Sequence, residues 1–265
     1  MNRVGNSRTR RTAAVAVGVA VVLTGAVACG GGKEGGAPSG TGPAASTSAG
    51  ASPGAGSRSG AGTGSAEAGP GAERLKAFAL APGDKAGRYE ASEPLLDEPM
   101  SELYDARPAA CQPLTGLGKA GHTAQAYAKT DVPGEWQAVG TEILLRSYKD
   151  GGAASAMKAL SEAGRQCAGG YTEDRALAEA KILKVEPVKA PALGDEALAY
   201  RIVVQDVKDR NISLYKYLTV IRSGPVTLSF RSDAIDTKDF GGVPGEVVTA
   251  QWQKFSKAGG TAPAS

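Results

Sequence analysis

The sequence predicts an α+β domain, an antiparallel sheet with helices packed on one face, preceded by a disordered tether. Three observations carry that expectation. All 14 Phe, Trp and Tyr residues lie beyond residue 73, while residues 30–72 hold no large apolar side chain. Several stretches between residues 141 and 230 alternate apolar and polar residues with period two and are joined by short turns, the pattern of an antiparallel meander. Two further stretches repeat their apolar residues at helical spacing, and a helix stripe buried on a sheet face gives the simplest two-layer solution.

The first element is a targeting segment over residues 1–28. Arg3, Arg8, Arg10 and Arg11 precede an uncharged run from Thr12 to Ala28, the charged, apolar and small-residue order of a secretory signal peptide. The run is short for a bilayer span of about 20 residues and ends in small residues, so cleavage is expected. Two cleavage readings compete. Ala26-Val27-Ala28 is an A-x-A site, while small residues running into Cys29 resemble a bacterial lipobox, with Ala26 where Leu is usual. The lipobox reading is carried forward, because one of only three cysteines stands immediately after the cleavage position. It implies a diacylglycerol thioether on Cys29 with a further acyl chain such as palmitate, enough hydrocarbon to hold the protein at the extracellular face of the cell membrane. Arg10-Arg11 is read as part of an ordinary basic n-region, since the residues after it do not complete a twin-arginine pattern.

Residues 29–73 are the lipidated cysteine and a flexible Gly/Ala/Ser-rich linker. Between Gly30 and Ala72 all but Lys33, Glu34, Arg58 and Glu67 are Gly, Ala, Ser, Pro or Thr. Such a chain cannot bury enough surface to offset its ordering entropy, and its root-mean-square reach is roughly 35 Å. The domain runs over residues 74–258, and residues 259–265 read as a loose tail.

Charge excludes some functions. The formal net charge is +3, but four arginines leave with the signal, and residues 74–257 carry equal numbers of acids and bases. No nucleic-acid partner is expected, because phosphate recognition needs a dense Lys/Arg surface. A single histidine, His122, excludes a multi-histidine metal centre, and the absence of a C-x-x-C pair excludes zinc ribbons and thioredoxin-like chemistry. No metal or cofactor is expected.

Within the domain, Thr141 to Tyr148 reads as a strand. Ala153 to Gln166 follows as a helix with Ala153, Ala156, Met157, Leu160 and Ala163 on one face, and Gly164 weakens its last turn slightly. Lys181 to Val185 is another strand. Leu198, Tyr200, Ile202 and Val204 alternate before a turn at Asp206 to Asn211. A strand over Ile212 to Arg222 then reaches a tight loop at Ser223-Gly224 and a partner holding Val226, Leu228 and Phe230. The last helix opens near Pro244, with Val248, Trp252 and Phe255 on one stripe.

With Cys29 lipidated, Cys111 and Cys167 remain in a compartment that permits disulfides, and pairing is expected. The closed loop of about 57 residues corresponds to roughly 4 kcal/mol in the chain-entropy estimate.

Other constellations are weaker. Gly116-Leu117-Gly118-Lys119-Ala120-Gly121 satisfies G-x-G-x-x-G, but Cys111 to Thr115 before it is no apolar strand, so a mobile loop is the expectation. His122 then follows at an exposed position. No G-x-S-x-G elbow accompanies it. Asp195-Glu196, Asp206/Asp209 and Asp233/Asp236/Asp239 lack calcium-loop spacing and read as turn chemistry. Asn211-Ile212-Ser213 is a sequon by pattern alone.

Taken together, the lipobox and tether, the segment Ala109-Ala110-Cys111-Gln112-Pro113-Leu114, and the strand and helix closing with Ser161 to Ala168 resemble a known family. The resemblance is to the extracellular sensor-like domain of actinobacterial lipoproteins and of PknH-type receptor kinases. Ala192-Leu193-Gly194-Asp195-Glu196-Ala197 leads into a meander like those in such lipoproteins, and an amphipathic helix follows. The resemblance spans residues 75–257. It implies a non-enzymatic binding or sensing module outside the cell, whose partner is a small molecule, a cell-wall fragment or a protein. The ligand-binding residues stay unknown, and no catalytic residue is expected. Two alternatives remain: an envelope hydrolase using acids such as Asp195 and Glu196, or a structural cell-envelope interaction protein.

Overall fold

Chain entry into the fold is set by a short run of helix formers. In the computed structural model, which describes residues 69–176 and 178–260, α1 (Ala72–Phe78) opens with Glu73 in its first turn and buries Leu75 and Phe78. An acid there complements the helix dipole. The signal peptide, Cys29, residues 30–68 of the linker and residues 261–265 lie outside the described residues.

Ten antiparallel strands form one sheet. In chain order they are β1 (Lys85–Ala86), β2 (Tyr89–Ser92), β3 (Asp105–Arg107), β4 (Ala124–Asp131), β5 (Gly140–Ser147), β6 (Tyr171–Arg175), β7 (Ala178–Pro187), β8 (Glu196–Gln205), β9 (Ser213–Ser223) and β10 (Val226–Asp233). Their spatial order is β1-β2-β4-β5-β10-β9-β8-β7-β6-β3. The chain starts at one edge, visits the far edge at β3, and returns to lay down β4 and β5. It then crosses through α3 (Gly152–Gln166) to β6 and meanders back until β10 closes against β5. α2 (Gln112–Thr115) is a single turn, and α4 (Gly245–Lys257) ends the domain.

The strands expected around residues 141–148, 181–185, 198–204, 212–222 and 226–230 are all present, the second as part of the longer β7. The Asp206 to Asn211 turn is built by its own carboxylates. Asp206 Oδ1 accepts the N–H groups of Lys208 and Asp209, and Asp209 Oδ1 accepts that of Asn211. The β9–β10 loop is Gly224-Pro225, one residue on from the expected place, because Ser223 still pairs with Val226. Pro244 stands just before α4 rather than inside it.

The α+β class and the antiparallel sheet are as expected. The helices, however, divide between its two faces instead of sharing one. On one face α1 and α4 pack over Ile143, Leu145, Ile221, Val226, Leu228 and Phe230. On the other, α2 and α3 pack over Ile182, Tyr200, Ile202, Val204, Leu218 and Val220. The reason is legible in β9, where Leu218 and Val220 point one way and Ile221 the other. A strand with apolar residues on both faces asks for cover on both. All five residues expected on the buried face of α3 are buried. Gly164 lies against the sheet: a Cβ there would sit 2.4 Å from Tyr200 Cε1. It is a contact point as well as a weak helix former.

Candidate functional site

Cys111 and Cys167 are bonded, with 5.9 Å between their Cα atoms. Both are buried among Leu114, Leu117, Met157, Leu160, Ala163 and Tyr171. The bridge pins the α2 segment to the C-terminal end of α3 and holds it over the sheet.

That segment covers a layer of buried polar groups. Arg146 of β5 is fully buried and pairs with Glu102 across 3.0 Å. Glu102 Oε2 also accepts the Gly118 N–H at 2.8 Å. Arg231 of β10 donates to the carbonyls of Leu114 and Thr115 at 2.7 and 2.6 Å. Beside it, Glu173 gathers Thr115, Tyr171 and Arg175. Burial alone would raise the Glu173 carboxyl pKa, but the Arg175 hydrogen bond and the charges of Lys216, Arg175 and Arg231 outweigh it and hold it low.

The G-x-G-x-x-G stretch wraps this layer. Cβ atoms at Gly116 and Gly118 would lie 2.5 and 2.8 Å from Glu102 Oε2, so both glycines serve the close approach of a carboxylate from the same chain. His122 is half-buried rather than exposed, and among the described residues its Nδ1 has no hydrogen-bond partner. Burial, then the Arg146 charge, lowers its pKa.

The acid clusters are structural. Asp195 and Glu196 both reach Arg222, and Asp195 also accepts the Gly224 N–H at 2.7 Å. Asp236 accepts the N–H of Lys238, and Asp233 lies near Lys216. Among the described residues no three His, Cys, Asp or Glu side chains are grouped to hold a metal ion.

The surface offers two neighbouring grooves instead. The first, about 550 Å³, lies between the β4–β5 loop (residues 132–139) and the segment after β10, with Arg88, Tyr89, Trp136, Gln137, Lys238 and Phe240 among its lining residues. Trp136 is 74% exposed, held at the loop tip while Arg88 and Glu135 pair beside it. The second groove, about 420 Å³ and more apolar, is lined by Pro191, Leu193, Ala199, Tyr217, Val243 and Val248 among others.

The segment Asp239-Phe240-Gly241-Gly242 divides the grooves and is fastened to the sheet. Asp239 Oδ1 accepts the Tyr217 hydroxyl at 2.6 Å and Oδ2 the Arg201 Nε at 2.7 Å. Arg201 also pairs with Glu186 at 2.5 Å and lies over the Tyr215 ring. Burial and then the Asp239 hydrogen bond push the Tyr217 phenol up to about 12, so it remains a donor. Asp239 itself is held low, the hydrogen bonds of Tyr217, Gly241 N–H and Arg201 outweighing its burial. Sequence reading missed this region, although Trp136 carries a signal: it sits in Pro133-Gly134-Glu135-Trp136, a turn, where a core aromatic has no place.

No protein-family profile matches the chain, and no curated protein does. Among solved structures, the extracellular domain of PknH from Mycobacterium tuberculosis matches over 72% of this chain and 98% of its own length, with 11% identity and a TM-score of 0.50. An uncharacterized protein from Mycobacterium smegmatis matches over 66% of this chain and 90% of its own, with 13% identity and a TM-score of 0.32. The first bears out the fold that the sequence resemblance implies. Among the described residues, no helix is long and apolar enough to cross a membrane.

Proposed function

We propose that the protein is an extracellular lipoprotein, anchored in the cell membrane through Cys29, whose domain is a non-enzymatic, sensor-like binding module. The observation that carries the binding reading is the Trp136 groove. An exposed indole face stands beside charged and amide groups, Arg88, Gln137 and Lys238, over a wall braced by Asp239, Tyr217 and Arg201. An aromatic platform rimmed by hydrogen-bonding groups suits a ligand with apolar ring faces and many hydroxyls, such as a cell-wall glycan fragment. A non-enzymatic role is supported by Asp195 and Glu196, which turn to Arg222 instead of facing each other across a cleft. The Cys29 anchor is supported by its place directly after the apolar run, and the extracellular setting by the PknH fold and by the disulfide.

Titration of the mature chain with soluble cell-wall fragments, followed by tryptophan fluorescence, tests the binding reading. A saturable change that Trp136→Ala abolishes is expected; a change untouched by that substitution overturns it.

A further inference from the structure

The sheet has an open edge in its interior order. β4 pairs with β5 along residues 124–130, but with β2 only through Lys129, Thr130 and Asp131. Beyond Ser92 the chain leaves β4 at Glu93-Pro94, and proline has no N–H with which to continue the ladder. The facing of the β4 backbone follows from the hydrogen bonds at the far end. Tyr148 N–H donates to Pro225 O, so Tyr148 faces β10, while Ser147 O accepts the Thr123 N–H from the β4 side. By the period of two, Leu145 and Ile143 also face β4, and their partners Ala126 and Ala128 face β5. The N–H and C=O groups of Gln125 and Tyr127 therefore point away from β5, toward the open edge. Among the described residues they have no backbone partner.

A groove of about 550 Å³ runs along this edge, walled by the end of α1 and by the 92–97 loop. Its lining residues are distinct from those of the Trp136 groove. The α1 side offers the nearly buried Ala79 and Leu80, and Lys76, which pairs with Glu73. The loop side offers Leu96, 51% exposed, with Glu93 and Asp97, neither of which forms an ion pair among the described residues.

We infer that this edge takes an extended segment of a partner protein by strand addition, the segment carrying an apolar side chain for Ala79, Leu80 and Leu96 and a Lys or Arg for Glu93 and Asp97. Backbone pairing to Gln125 and Tyr127 supplies the register, and the groove walls supply the selection. With Lys76 already paired to Glu73, the acids Glu93 and Asp97 make charge complementarity point to a basic segment. The chain's own residues 30–68 have no large apolar side chain to fill the groove.

The test uses the mature chain and three octapeptides: alternating Val and Lys, the same peptide N-methylated at every second amide, and alternating Val and Glu. Hydrogen exchange at individual amides is the readout. The Val-Lys peptide is expected to slow exchange at Gln125 and Tyr127 and to bind about tenfold tighter than the Val-Glu peptide. Methylation is expected to abolish the protection. The variant E93K/D97K, altered only at exposed side chains, is expected to reverse the preference. Binding without protection at these two amides, or no binding, overturns the proposal. Protection in the free chain that disappears on deleting residues 30–68 also overturns it and makes the chain's own segment the occupant. Protection that rises with protein concentration overturns it in favour of a dimer.

Discussion

Glu102→Ala leaves the Arg146 guanidinium, fully buried, without its counter-charge, and leaves the Gly118 N–H without its acceptor. Gln125 Oε1, 3.3 Å from Arg146 Nε, is the contact that remains. Breaking one side of a buried pair costs about 3–5 kcal/mol, and an orphaned buried N–H about 1–3 kcal/mol. These losses overlap, so the expected destabilisation is about 4 kcal/mol, or roughly 12 °C in Tm for a domain of this size. Urea unfolding of the mature chain, followed by circular dichroism, measures it. Glu102→Gln combined with Arg146→Met removes both charges and keeps an acceptor for Gly118, so most of the loss should return. A Glu102→Ala loss below about 1 kcal/mol, or a double variant as unstable as Glu102→Gln and Arg146→Met summed, would refute the reasoning.

Five further outcomes are expected. Replacing Cys111 and Cys167 with alanine should cost roughly 4 kcal/mol by the loop-closure estimate, and non-reducing mass spectrometry should recover their cross-linked peptide; free thiols would contradict the bridge. Gly164→Ala should destabilise by about 1–3 kcal/mol despite its better helix propensity, since the new Cβ meets the Tyr200 ring, and Tyr200→Leu should suppress that loss in a double-mutant cycle. The His122 pKa is lowered by folding, so the unfolded chain binds the proton more readily: stability should decline as pH falls through about 6.5, and His122→Asn should flatten that slope. Glu173 is held low instead, so its contribution is present at neutral pH and lost as pH falls below about 4.3, a second decline that Glu173→Gln should remove. For the anchor, Cys29→Ser should move the protein out of the membrane fraction; continued retention there contradicts lipidation.

Strands and helices of the C-terminal half were legible because their burial follows local periodicity. The apolar positions of α3 and of β8 are read directly from spacing. The disulfide was legible from a count of cysteines. Two-sided cover of the sheet was less so, because it depends on which strands are central, and Leu218, Val220 and Ile221 declare that only once their neighbours are known. The polar layer was hidden for a different reason. Glu102, Gly118 and Arg146 are brought together by a chain reversal through α2 that has no periodicity, and Arg146 in a strand reads as an exposed charge. In α4 the same limit shows at Gln251, a polar residue fully buried on the apolar stripe beside Val248 and Phe255. Of the Trp136 groove, the turn around Pro133-Gly134 was readable, whereas the brace from Arg201 to Asp239 joins residues 38 positions apart.

Gln251 also joins the first helix of the domain to the last. Its amide donates to Phe78 O and its carbonyl accepts the Leu80 N–H, at 2.8 and 2.9 Å, while Phe78 and Phe255 meet edge to face. The first helix is thus latched to the last. This latch lies on the face of the sheet opposite the disulfide, so the covalent bridge does not brace it. The covalently locked side and the latched side of the sheet are different sides, so losing the Gln251 contacts would loosen α1 from α4 while the disulfide still holds α2 to α3.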